Sequence, residues 1–399
     1  MERKVASRRT RREFLSCAAV SALPGALASC RAAESKPVVS VVRIRRGNIE
    51  AAVEEAIDLL GGMAAITRGK ERIMLKPNLV APIPEATTKL PVMRALVRLM
   101  RSAHKDVSIG EGSAAAAPFN VRGNQTFRTS NKELLNGLQQ RVFDDMGYSE
   151  FAKAQRVPLV NLHTGDLVEL KVPGALLFDK LTLHRSLTEI DLLCSVPMMK
   201  THVMAGVTLG MKNLIGVYPG AVYQALRGDM HDRAAEVEPS ATAAPIVDMV
   251  RANKLGLVVI DASSAMEGNG PTGGTPVPME TIVAGVNPLA TDMVAASLMG
   301  FEPNEISTFI WAHKAGLRPR SLDEIETRGE PLAHVRREFV RPVLVPWNPD
   351  YAPLLASRGE GRIWAFCPKL EAKSFVSNVT SGHFGHFAQN RRLRYDLPS

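Results

Sequence analysis

Residues 190–202 read Ile190-Asp191-Leu192-Leu193-Cys194-Ser195-Val196-Pro197-Met198-Met199-Lys200-Thr201-His202. The run up to Val196 is almost continuously apolar, the pattern of a strand buried on both faces. It then gives way to a lysine, a threonine and a histidine. Working outward, the same scheme recurs. Residues 38–44, 72–75, 107–110, 158–162, 256–260 and 281–286 have strand character, and helical spacing separates them at 48–66, 91–104, 131–146 and 243–252, with further helices begun at Asn287-Pro288 and spanning 303–316. Asn131 and the Asn287-Pro288 pair are good helix starts. Residues 167–183 alternate like an antiparallel hairpin. This order predicts an α/β fold: a mostly parallel, doubly wound sheet with helices on both faces and a small hairpin insertion. The expected division is a signal peptide at 1–29, the α/β domain at 38–320 and a partly irregular extension at 321–399.

In such sheets ligands bind beyond the carboxyl ends of the strands. Four expected strand ends carry polar groups: Lys76-Pro77-Asn78; Gly110-Glu111-Gly112; Lys200-Thr201-His202; and Asp261, followed by Met266-Glu267-Gly268-Asn269-Gly270-Pro271-Thr272-Gly273-Gly274. Taken singly, each has a plain structural explanation as a solvated lysine, a turn, a cap or a hydrogen-bonded histidine. Brought to one rim, they would assemble lysines, a histidine and carboxylates, a cluster suited to acid–base work. The densest stretch is 200–216, where Lys200, His202, Thr208, Lys212 and Asn213 sit among glycines that permit close approach of a ligand.

The expected roles follow from residue chemistry. Lys76, Lys200 and Lys212 hold an anion, with Asn78, Thr208, Asn213 and Gly270 beside it. His202 is the general acid or base, supported by Lys200 and Asp261. Glu267 and Asp292 either orient these groups or hold a divalent metal through hard oxygen ligands. Asp292 also has a simpler reading as a carboxylate serving the dipole of the helix begun at Pro288.

Lys76-Pro77-Asn78, Lys200-Thr201-His202 with Thr208 and Lys212-Asn213-Leu214-Ile215-Gly216, Asp261 with 266–271, and Asn287-Pro288 to Asp292 occur in an order and spacing that resembles the domain of unknown function 362 family. The resemblance spans about residues 40–320. It implies a prokaryotic protein of a largely uncharacterised family, many of whose members carry an appended ferredoxin-like domain with iron–sulfur clusters. This chain departs from those members. It has 4 cysteines, two of them (Cys17 and Cys30) in the signal, and no Cys-x-x-Cys, so no iron–sulfur cluster is expected within it. A more distant similarity, carried by no single motif, is to the nickel-pincer lactate racemases, which also join lysine and histidines at an α/β cleft.

The N-terminus reads as an export label. Arg11-Arg12 with Glu13-Phe14-Leu15 has the form of a twin-arginine signal, and the apolar stretch 15–28 behind it is short for a membrane span. Leu27-Ala28-Ser29-Cys30 has the form of a lipobox, which would make Cys30 a lipidated N-terminus; ordinary cleavage after Ala28 is the alternative. The expected location is therefore exported, periplasmic or lipoprotein, with the twin-arginine machinery as a partner and the membrane reached only through a lipid on Cys30.

Charge excludes less than it first suggests. The net charge is +9, but Arg3, Lys4, Arg8, Arg9, Arg11 and Arg12 against Glu2 and Glu13 contribute +4 of it, leaving about +5 beyond the signal. Aromatics are 5% of residues, with no basic stripe interleaved among them, which argues against nucleic acid as a partner. The reading is an exported enzyme acting on a small anionic substrate by acid–base or metal-assisted chemistry. The alternative is a non-catalytic ligand-binding or redox-accessory lipoprotein.

Overall fold

The computed structural model describes residues 35–117, 119–122, 125–128, 130–347 and 363–364. The signal motif, Cys30, Cys367 and the histidines at 383 and 386 lie outside the described residues.

In chain order the strands are β1 (Val38–Arg43), β2 (Arg72–Pro77), β3 (Asp106–Glu111), β4 (Phe119–Arg122), β5 (Gln125–Arg128), β6 (Leu159–Asn161), β7 (Leu167–Lys171), β8 (Lys180–His184), β9 (Leu192–Val196), β10 (Met198–His202), β11 (Gly206–Thr208), β12 (Leu255–Glu267), β13 (Thr275–Val277), β14 (Thr281–Gly285), β15 (Glu326–Gly329) and β16 (Ile363–Trp364). The main sheet has the order β15-β1-β14-β12-β9-β2-β3-β6, with β10 and β13 attached to β12, and β11 to β10. The run β12-β9-β2-β3-β6 is parallel, and β14 is antiparallel to both its neighbours. The expected α/β fold with a mostly parallel sheet is therefore present. So is the hairpin insertion, in which β7 and β8 pair antiparallel as a sheet of their own. β4, β5 and β16 form a third, small sheet.

Alternation along the strands explains why both faces are covered. Val42, Ile73, Leu75, Cys194, Leu257, Val259, Ile282 and Ala284 face one core, with helices Ile49–Leu59 and Leu90–Ser102 packed on it. Val39, Val41, Val258, Ile260 and Val283 face a second core, closed by helices Ala243–Ala252, Pro288–Leu298 and Ser307–Lys314. Met74 and Leu193 face a third, under the hairpin. Fully burying one such side chain is worth roughly 1.5–3 kcal/mol, so these cores dominate the stabilisation.

Several elements differ from the sequence expectation for local reasons. The helix expected at 48–66 is split into Ile49–Leu59 and Met63–Ile66, because Gly61 and Gly62 both take left-handed φ values (100° and 84°) that break it. A helix at Tyr148–Gln155 follows the one at Lys132–Asp145 after Gly147. The strand expected to end at Ile260 runs on to Glu267, so Asp261 lies within a strand rather than at its tip. The segment 198–208, beyond the apolar run that ends at Val196, forms the hairpin β10–β11. The sheet also reaches past residue 320, since β15 pairs with β1.

Candidate functional site

The ends of β2, β3 and β9 and the turn after β11 meet in a buried polar cluster. Lys76, the penultimate residue of β2, is 1% exposed, and Glu111, which ends β3, is 2% exposed. Lys76 Nζ donates to both Glu111 oxygens, at 2.8 and 2.9 Å, and to Asn213 Oδ1 at 3.1 Å. Glu111 also accepts from the backbone of Leu79 and Gly112. Asn213 bridges the strand ends: its Nδ2 donates to Lys76 O, Pro77 O and Ser195 Oγ, and its Oδ1 also accepts from Asn78 Nδ2. The surroundings are tight enough to require glycine. A Cβ on Gly216 would sit 2.3 Å from Glu111 Oε1 and 2.7 Å from Lys76 Nζ.

Around this ion pair lie further basic groups with no carboxylate bonded to them among the described residues. Lys200 is fully buried on β10, and among the described residues its Nζ donates only to Ala86 O, at 2.7 Å. Arg227 is 1% exposed and donates to the carbonyls of Tyr218 and Gly112. Lys212 is half-buried, and its amine has no hydrogen bond or ion pair to a described residue. These charges are close enough to oppose one another. Burial first, then Arg227 and Lys76, brings the Lys212 ammonium down to about 7. Burial, with Lys212 the next largest influence, takes Lys200 well below its usual range. Burial also lowers Lys76, although Glu111 works against it, and brings Arg227 down to about 10.

His202 is held in one protonation form. Its Nδ1 accepts from the backbone of Met204 (3.0 Å) and Ala205 (3.3 Å), so the ring proton belongs on Nε2. Burial, then Lys212 and Lys200, keeps its proton affinity well below the ordinary histidine value. His202 is therefore a neutral Nε2–H donor; a general base at Nε2 would need the other tautomer.

The remaining expected site residues are spread over other duties. Thr208 pairs with Lys200 across the β10–β11 ladder and so shares its face; its Oγ1 and Asn78 Oδ1 are buried with no hydrogen-bond partner among the described residues. Asp261 points, by alternation, to the face opposite Lys76. One oxygen accepts from Lys89 N at the start of helix Leu90–Ser102, and the other from Ser263. Its affinity for a proton is raised by burial, but it is a cap, apart from the basic cluster. Gly270 packs on backbone: a Cβ there would lie 2.0 Å from Thr201 O. The metal expectation for Glu267 and Asp292 does not fit their bonding. Glu267 accepts from Val340 N, while Asp292 accepts from Gly210 N (2.7 Å) and Met211 N (2.8 Å), pinning the turn before Lys212. Among the described residues, no group of three or more histidine, cysteine, aspartate or glutamate side chains gathers as a cation site.

Sequence reasoning left Glu111 and Arg227 out of the site. Glu111 was visible as a strand-end carboxylate but reads as part of a Gly-Glu-Gly turn. Arg227 stands in a segment without periodicity, and nothing local distinguishes it from a surface arginine. His163, fully buried, bonds Ser113 O and Gly220 N and walls the same region.

The segment 339–347 packs along β12 and the turn after β10. Val340 bonds Glu267 and Gly268, Val343 bonds Asn269, and Val345 donates to Val203 O. Trp347 then stacks on His231 at 4.6 Å between ring centroids.

A family model described as "Domain of unknown function (DUF362)" matches residues 73–297, which contain every cluster residue described above. The chain belongs to this family. A curated relative, the thylakoid-associated protein of Synechocystis, is 25% identical over 297 residues, covering 74% of this chain and 82% of its own. Among solved structures, the lactate racemase apoprotein from Thermoanaerobacterium thermosaccharolyticum aligns with TM-score 0.41 and 14% identity, over 66% of this chain and 57% of that one. A Thermotoga maritima protein aligns with TM-score 0.37 and 13% identity, over 62% and 58%.

Proposed function

We propose that this DUF362 protein binds a small anionic molecule at the cluster of Lys76, Lys200, Lys212 and Arg227 and acts on it by proton transfer. One observation carries the reading: four basic side chains converge where, among the described residues, Glu111 is the one carboxylate bonded to any of them, and it is committed to Lys76. Buried cations without counter-charges are costly unless an anion arrives to compensate them. The unpartnered Thr208 Oγ1 and Asn78 Oδ1 offer further hydrogen bonds to such a guest. With His202 fixed as a neutral donor and Asp261 and Asp292 occupied by backbone donors, the group best matched to accept a proton near neutrality is the Lys212 amine.

Sulfate, as a non-titrating anion, tests the binding part: it should raise the melting temperature of the protein, and Lys200→Met should abolish the rise. Equal shifts in parent and variant would defeat the reading. A non-catalytic binding role is favoured by one feature, the saturation of Asp261 and Asp292. Capture of the physiological anion without turnover would decide for it. Export through the twin-arginine route, with Cys30 lipidated, is part of the same proposal. It is supported by Arg11-Arg12 and by the lipobox pattern. A reporter fused to residues 1–34 should leave the cytoplasm, and Arg11→Lys with Arg12→Lys should retain it.

A further inference from the structure

The mounting of Lys212 is unusual for a residue that only contributes charge. Met211 N and Gly210 N are fixed by the two oxygens of Asp292, and Asn213 is fixed from Lys76, Pro77, Asn78 and Ser195. The backbone on both sides of Lys212 is therefore pinned, while its amine has no described partner. The charged and titratable groups close enough to influence it, or be influenced by it, are Arg227, Lys76, Lys200, His202 and His231. None of these is a carboxylate. A lysine desolvated beside other cations is the arrangement that makes an amine nucleophilic at neutral pH.

We infer that Lys212 is a covalent nucleophile for a small 2-oxo acid, forming an imine through Nζ while the neighbouring cations hold the carboxylate. The inference rests on the anionic-site reading above and names its substrate class. An acid group suits Arg227 and Lys200, whose charge Glu111 offsets without bonding to either while it stays paired with Lys76, since guanidinium and carboxylate match in shape. A carbonyl suits the free amine. In the step, the Nζ lone pair attacks the carbonyl carbon and the C–O π bond opens to a carbinolamine. The oxygen then leaves as water with both amine hydrogens, and a C=N bond remains. No oxidant or reductant is consumed. Lys212 being about 7 leaves much of it as free amine at neutral pH, and His202 Nε2–H is the neighbouring donor for the oxygen.

The test treats the full-length protein with pyruvate or glyoxylate and cyanoborohydride, and maps reduced adducts by peptide mass spectrometry. Melting-temperature shifts with sulfate and with the same acids are read in parallel. The expected result is one dominant adduct on Lys212, stronger above about pH 7 than below it. Lys212→Arg should lose the adduct, and the sulfate shift of the parent protein, read in parallel, reports on the anion site independently of the nucleophile. Sulfate stabilisation with no Lys212 adduct, or with adducts spread evenly over surface lysines, overturns the inference and leaves the anion site standing. Absence of both shift and adduct overturns both.

Discussion

Lys76 Nζ lies 2.8 Å from one oxygen of Glu111 and 2.9 Å from the other, with both residues almost completely buried at the tips of adjacent parallel strands. Neither charge is solvated, so each depends on the other and on Asn213, Leu79 N and Gly112 N. Replacing Glu111 by Gln leaves Lys76 as a buried charge without its partner. The expected cost is about 3–5 kcal/mol in urea unfolding. Lys76→Met should cost less, because Glu111 keeps its two backbone donors. Equal losses would mean that the pair does not organise the strand tips.

Gly216→Ala tests the crowding beside this pair. The added methyl meets Glu111 Oε1 and Lys76 Nζ, and neither can swing aside without losing the other. A destabilisation of roughly 1–3 kcal/mol is expected, typical of overpacking. Gly137 is the control. It occupies a helical position where an added Cβ would meet nothing within 4 Å, so Ala there should be neutral or slightly stabilising.

Asp292 offers a prediction with a defined sign. Its folded affinity is raised to about 7 from 3.8, chiefly by burial. Between those values the folded state holds a proton that the unfolded state has released. The contribution of this group to stability is therefore greatest below 3.8 and is lost as pH rises through about 7. In Asp292→Asn the term vanishes, so the stability curves of variant and parent should converge toward neutral pH or cross. Offset against this, the Asn amide nitrogen faces a backbone donor, at a cost of roughly 1–3 kcal/mol. A parent-minus-variant difference independent of pH would refute the assignment.

Lys212 predicts the opposite slope. Its folded value is about 7 and its unfolded value 10.5. The unfolded state binds the extra proton between them, so this group's burden on stability is fully present below about 7 and relieved as pH rises toward 10.5. Sulfate binding should weaken across the lower part of that range as the ammonium discharges. Lys212→Met should flatten both effects, in urea titrations and in sulfate-dependent melting.

The parallel sheet was legible because its strands are apolar on both faces, which leaves few alternatives for 190–196 or 256–260. Helix starts at Asn131 and Asn287 were equally plain: both side chains accept the expected backbone hydrogen bond. The polar half of β12 was not. Asp261 and Ser263 look like a turn, and only the pairing of Asp261 and Ala262 with Ile282 and Thr281 on β14, from a later part of the chain, keeps this stretch in the sheet. Lys200 misled for the same reason, since a fully buried lysine violates the pattern by which strands are recognised. Lys76 and Lys200 were reached by the rule about strand ends, and Lys212 by its place in the dense stretch 200–216. Arg227 could not be reached by that rule, because it arrives from an irregular segment and docks on Gly112 and Tyr218.

β1, the first strand of the domain, is flanked by β14 and β15, with Val39 opposite Gly285 and Val38 opposite Glu326. Residues made near the start of synthesis thus wait for partners made near its end, and the ribosome has to deliver most of the chain before either edge of β1 is filled. Such distant pairings slow folding. The main sheet of the nascent polypeptide therefore stays open along β1 until residues 281–329 have emerged.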